Sequence, residues 1–224
     1  MLALKLGMSL VSSNRVGGWN PDDESSLEAW YQNAVGIALN GSDVSRWDDS
    51  SANSNDMVQA TASEQPAYSA GVLTFDSAST ENLQTTGQIT LADEFTLAIR
   101  LYPTSFSNVV IADNTTANEF IKITNSSTIR IKVDGSVADF TLDSGTWGDD
   151  YIVFTRDGSD LVTLWVNGVA QADTETRSGS VDIDCIGVRS PDLNAYAGTI
   201  EEIQIYSSTS TALTANVNAR LASI

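Results

Sequence analysis

The run Tyr151-Ile152-Val153-Phe154-Thr155-Arg156-Asp157-Gly158-Ser159-Asp160-Leu161-Val162-Thr163-Leu164-Trp165-Val166-Asn167-Gly168 carries the fold class. Two segments rich in β-branched and aromatic residues are joined across Asp157-Gly158-Ser159-Asp160, and Asn167-Gly168 turns the chain again at once. Such side chains suit a pleated, half-buried surface, and Asn-Gly accepts the positive φ values of a tight hairpin turn. The run therefore reads as an antiparallel hairpin followed directly by a second turn.

The same grammar extends in both directions. Val72-Leu73-Thr74-Phe75 and Phe95-Thr96-Leu97-Ala98-Ile99-Arg100-Leu101-Tyr102 read as strands, the latter ended by Pro103. Val109-Val110-Ile111-Ala112 leads into the turn Asp113-Asn114. Phe120-Ile121-Lys122-Ile123 and Thr128-Ile129-Arg130-Ile131-Lys132-Val133 flank Asn125-Ser126-Ser127 as a hairpin, and Asp134-Gly135 turns the chain into a further strand. Two last strands cover 181–188 and 199–206, and Leu213, Val217 and Leu221 recur at helical spacing within 212–222. Leu27, Trp30 and Tyr31 fit a short helix or a strand, whereas 40–70 reads as a polar, irregular segment anchored by Trp47 and Tyr68. About a dozen short strands with frequent turns, and no strand–helix alternation, predict an all-β antiparallel sandwich with a short C-terminal helix.

Charge narrows the functions open to such a domain. The 224 residues contain 11 Lys and Arg against 29 Asp and Glu, a net charge of −18, and no His. An acidic surface repels phosphate backbones and anionic lipid, so neither nucleic acid nor membrane is expected as a partner. Without imidazole there is no Ser-His-Asp or Cys-His machinery. Cys185 cannot form an internal disulfide, and its place in an alternating strand makes it a small core residue. At the N-terminus, Leu2, Leu4, Leu6, Met8 and Leu10 alternate with Ala3, Lys5, Gly7 and Ser9, the pattern of a strand with one buried face. Lys5 interrupts the apolar run, which is too short for a membrane span, so no signal peptide is expected. Residues 1–18 are accordingly read as an extended arm and linker, and 19–224 as one domain.

The order of motifs resembles the concanavalin A-like, laminin-G-type jelly rolls of phage and bacterial surface proteins. The resemblance lies in Trp19-Asn20-Pro21-Asp22-Asp23, Leu27-Glu28-Ala29-Trp30-Tyr31, Gly71-Val72-Leu73-Thr74-Phe75-Asp76, Leu164-Trp165-Val166-Asn167-Gly168 and Gly198-Thr199-Ile200-Glu201-Glu202-Ile203-Gln204-Ile205-Tyr206. It favours a strand at 27–31 and spans about residues 19–222. Two departures stand out: Gln32 where relatives carry an acid, and Gly148-Asp149 where many carry a His-containing pair.

Some members of this fold are glycoside hydrolases using Glu-x-Asp-x-x-Glu on one strand face, a pattern this chain lacks. Glu201-Glu202 is adjacent, so regular alternation would send its carboxylates to opposite faces, and Asp182-x-Asp184 has no third acid. No enzyme is expected. The resemblance also implies a calcium ion at a loop rim, for which Asp76, Asp113, Asn114 and Asp192 are the candidates. The plainer reading, favoured in a chain with 20 Asp, is that they make turns. Among the tryptophans, Trp147 and Trp165 read as core residues, and Trp47, between Arg46 and Asp48, as the candidate glycan contact.

The jelly-roll likeness, the alternating arm and the lack of export or catalytic signals lead to a first functional expectation: a phage or virus structural protein. It would be made in the host cytoplasm and displayed on the virion surface as a capsid decoration or a head or tail fibre. The arm would add a strand to another virion protein of the capsid or tail. The alternative is a lectin-like module adhering to host-surface glycans, with or without structural calcium. No other cofactor is expected, and either role is compatible with a homo-oligomer.

Overall fold

The computed structural model describes residues 18–189, 191 and 193–224. The arm residues Leu2, Leu4, Leu6, Met8 and Leu10 lie outside the described residues. In chain order the strands are β1 (Leu27–Tyr31), β2 (Ile37–Asn40), β3 (Asp43–Trp47), β4 (Met57–Val58), β5 (Ala67–Ser69), β6 (Val72–Phe75), β7 (Leu83–Leu91), β8 (Phe95–Pro103) and β9 (Asn108–Ala112). They continue as β10 (Phe120–Asn125), β11 (Thr128–Val133), β12 (Ser136–Thr141), β13 (Asp150–Arg156), β14 (Leu161–Val166), β15 (Val169–Thr176), β16 (Val181–Ile186) and β17 (Gly198–Tyr206), and the helix α1 (Thr211–Leu221) follows.

All pairings between these strands are antiparallel. In the first sheet β8 lies along one side of β17, while β6 and β1 share the other; β13, β14 and β15 extend the sheet beyond β8. The second sheet runs β4–β7–β16–β9–β10–β11–β12. β3 joins them at one side, pairing with β2, β4 and β5, while β5 pairs with β6. The result is a sandwich of the expected class.

Alternate residues of the two sheets fill its interior. Leu97, Ile99, Ile152 and Phe154 belong to one buried cluster with Ile121, Ile123, Ile129, Ile131 and Phe140. Phe140 and Phe154 meet edge to face with ring centroids 5.4 Å apart. Each such side chain contributes about 1.5–3 kcal/mol by leaving water. Two hairpins are set by residue pairs that tolerate left-handed backbone: Asp134-Gly135 at φ 42° and 80°, and Asn167-Gly168 at φ 50° and 78°.

α1 covers part of the outer face of the first sheet. Ser210 caps it, its hydroxyl accepting from the Leu213 N–H at 3.0 Å. Leu213, Val217 and Leu221 pack on Leu27, Trp30, Ala98, Val153 and Tyr206. β8 and β13 are therefore apolar on both faces and read as continuous rather than alternating hydrophobic runs.

Two expectations are corrected here. The segment 40–70 is not an irregular loop; it contributes β3, β4 and β5 to the seam between the sheets. Glu201 and Glu202 do not diverge, because the register of β17 against β8 shifts between Ile200 and Glu202. That bulge turns both carboxylates towards arginines at the helix-covered face: Arg100 lies 3.5 Å from Glu201, and Arg220 lies 2.8 Å from Glu202.

Candidate functional site

The residues singled out in the sequence fall into separate structural roles. Trp47 is fully buried. Its ring packs against Tyr31 at 5.7 Å between centroids, and its Nε1 donates to the Gln32 carbonyl at 3.2 Å. It therefore presents no ring face to a sugar; the candidate contact is a core residue at the seam. Asp76 caps a short 3-10 turn, accepting from the Ala78 N–H at 2.9 Å. Both Asp113 oxygens are taken by the backbone and hydroxyl groups of Thr115 and Thr116. Although burial opposes ionisation of Asp113, these bonds leave its pKa below the ordinary carboxylate value. The Asn114 N–H donates to Asp184 at 2.6 Å. Asp192 lies outside the described residues. Among the described residues no group of three or more His, Cys, Asp or Glu is placed to hold a metal ion.

What the structure does assemble is a groove between α1 and the β14 end of the first sheet, with a volume of about 620 Å³. Trp165, expected in the core, stands half-buried in its wall. β14 alternates, so Val162, Leu164 and Val166 turn inward while Thr163 and Trp165 face out beneath the helix. The helix supplies Thr211, Thr214 and Asn218 from one side. Asn218 donates its amide N–H to the Thr214 carbonyl at 2.8 Å, which leaves Oδ1 a buried acceptor without a partner. Trp165 Nε1 is likewise a buried donor without a partner. The groove presents one indole, several hydroxyls and an amide, with Glu94 and Asp157 also lining it.

Apart from the groove, a buried polar network holds the helix to the sheet. Glu202 is fully buried on β17. One oxygen accepts from Trp30 Nε1 at 3.0 Å, Gln204 Nε2 at 2.7 Å and Arg220 Nε at 3.0 Å. The other accepts from the Asn33 N–H at 3.1 Å and Arg220 Nη2 at 2.8 Å. Five donors saturate this carboxylate, so Glu202 fastens the helix to the sheet.

Comparison with known proteins follows the architecture. A sequence profile described as the concanavalin A-like lectin/glucanases superfamily matches residues 75–216, more than half of the chain. The chain belongs to this superfamily. No curated protein sequence matches it. Among solved structures, the superfamily fold recurs in domain 4 of AbnA, a GH43 extracellular arabinanase from Geobacillus stearothermophilus, determined with arabinotriose. That match has a TM-score of 0.54 and 15% identity, covering 86% of this chain and 98% of that one. The binding domain of Paraclostridial Mosquitocidal Protein 1 gives 0.55 and 14%, with 91% of this chain and 53% of that one. Trypanosoma rangeli sialidase gives 0.58 and 13%, with 89% of this chain and only 33% of that one. At these identities the likeness is one of fold. The Trp165 groove was hidden in the sequence because α1 lies about fifty residues beyond β14; the only local signal was a Trp at an outward position of an alternating strand.

Proposed function

We propose that this chain is a carbohydrate-binding module whose ligand lies in the groove between Trp165 and α1. The single observation behind this reading is the groove itself, where an indole is flanked by hydroxyl and amide groups on a rigid sheet-and-helix frame. Superfamily membership and the arabinotriose-bound arabinanase domain of the same fold support it. We read the site as binding rather than hydrolytic because, of the two acids lining the groove, Asp157 serves as a turn residue, accepting from the Ser159 and Leu161 N–H groups, which leaves Glu94 without a second free carboxylate in the described lining. The virion setting rests on the jelly-roll likeness, the alternating segment 1–11 and the lack of export or catalytic signals in the sequence, and it draws no support from the comparisons.

A glycan array followed by titration calorimetry tests the proposal. Native protein should bind one or more neutral oligosaccharides, and Trp165→Ala should weaken that binding about tenfold or more. Thr211→Ala, at an exposed helix position, keeps the frame and should cause a smaller loss. Absence of binding to every glycan, or full binding by both variants, would overturn the assignment.

A further inference from the structure

A second concavity lies on the outer face of the other sheet, with a volume of about 390 Å³. Lys122, Arg130, Lys132 and Arg189 line it, four of the eleven basic residues in a chain of net charge −18. Among the described residues no Asp or Glu lines it, although the chain has 29. The register concentrates these cations. Ile121, Ile123, Ile129 and Ile131 point inward, so the alternate residues of β10 and β11 point out together. Lys122 stands directly opposite Arg130, and Lys132 opposite Phe120. Like charges directly across a ladder destabilise a sheet, so the Lys122–Arg130 pairing is a cost to the fold.

Three of the cations are held in place. Asp139 takes Arg130 through two bonds, at 2.7 and 2.8 Å. Lys132 donates to the Ala117 carbonyl at 2.7 Å and lies 5.7 Å from the centre of the Phe120 ring. Arg189 lies 5.9 Å from the same ring, and the Asn194 amide, oriented to satisfy both groups, places its oxygen 2.9 Å from Arg189 Nε. Lys122 lies among them with no acidic partner among the described residues. Burial first, and then Arg130 and Arg189, hold its ammonium below the ordinary lysine pKa.

An anion entering here would meet fixed donors and relieve the repulsion around Lys122. The molecule's overall charge limits what that anion can be. A polyanion such as nucleic acid would have to lie along an acidic surface, whereas a single compact oxyanion needs only the pocket. The volume lies at the small end of ligand sites and suits one sugar residue. Resting on the glycan-binding reading for the sugar itself, we propose that this pocket recognises a compact oxyanion, carboxylate or sulfate, on an acidic sugar residue, at a site separate from the Trp165 groove.

Titration of the full chain with glucuronic acid, glucose 6-sulfate and glucose distinguishes the two oxyanions and the uncharged control. Glucuronic acid or the sulfate should bind at millimolar concentration, more weakly as salt rises, and glucose should not bind at this site. Lys122→Gln should weaken acidic-sugar binding about tenfold while leaving the melting temperature equal or higher, because it removes a like-charge contact. It should leave neutral-glycan binding at Trp165 unchanged. Equal binding of glucose and the acidic sugars, no binding of either acidic sugar, or full acidic-sugar binding by the Lys122 variant would overturn the proposal. Failure here with neutral glycans still bound refutes the basic pocket alone; loss of neutral binding with acidic sugars retained refutes the groove.

Discussion

At the residue scale, Glu202 shows how an acidic chain places one charge where no water reaches. Its five donors come from β1 and the turn after it, from β17 and from α1, so the carboxylate ties three parts of the chain to one point. Arg220, also 5.5 Å from the Trp30 ring centre, has its pKa raised chiefly by the bonds to Glu202. Glu202→Gln keeps the volume but replaces an acceptor with a donor that faces other donors. It also leaves the guanidinium beside a neutral amide. Loss of one partner from such a site costs about 3 kcal/mol, which urea unfolding should register. A change below about 0.5 kcal/mol would mean that the network adds nothing to stability beyond packing.

At the scale of elements, α1 both completes the first sheet's cover and forms a wall of the proposed glycan groove. Leu213 is buried against that sheet, and Leu213→Ala should destabilise the domain by about 3 kcal/mol. Below the melting transition it should also weaken neutral-glycan binding, since a shifted helix displaces Thr211 and Thr214, and leave the basic pocket on the other sheet intact. Parallel calorimetry with a neutral and an acidic sugar checks this; equal losses for both would mean that the two sites are not structurally separate. The helix was legible because its three apolar residues share one stripe. The long hairpins were legible for the corresponding reason in strands. By contrast, β2 to β5 are two to five residues long and mostly half-exposed, so no run of alternating residues marks them. Trp47 misleads for the same reason: within a polar segment its neighbours do not reveal that Tyr31 and the sheet seam close over it. The basic pocket is half legible. The outward positions of Lys122, Arg130 and Lys132 follow from the alternation with Ile, but the arrival of Arg189 depends on the path of the chain after β16.

At the scale of the whole molecule, the net charge of −18 sets how stability depends on pH. Burial raises the pKa of Glu81, Glu119 and Asp184, and neighbouring carboxylates add to it: Asp76 beside Glu81, and Asp113 and Asp182 beside the other two. For an acid with a raised folded pKa, the native state binds more protons than the unfolded chain in the interval just above the ordinary carboxylate range. Stability therefore rises as pH falls through the raised values. Asp113 and Asp139 have lowered pKa values, and their contribution is fully present above the ordinary value and lost as pH falls through the depressed one. The two groups place the optimum on the acid side of neutrality, near the upper edge of carboxylate titration. Falling net charge acts in the same direction, because it reduces self-repulsion. Lowering the pH from 7 to about 5 should raise the melting temperature by about 2–4 °C, the shift expected of roughly 1 kcal/mol in a domain of this size. Further acidification should reverse the gain as Asp139 releases Arg130. Added salt at pH 7 should recover the part that arises from long-range repulsion and not the part that arises from burial. Thermal melts from pH 4 to 8 at low and high salt separate these contributions, and a melting temperature that rises steadily towards pH 8 would refute the assignment of the buried acids as a net cost.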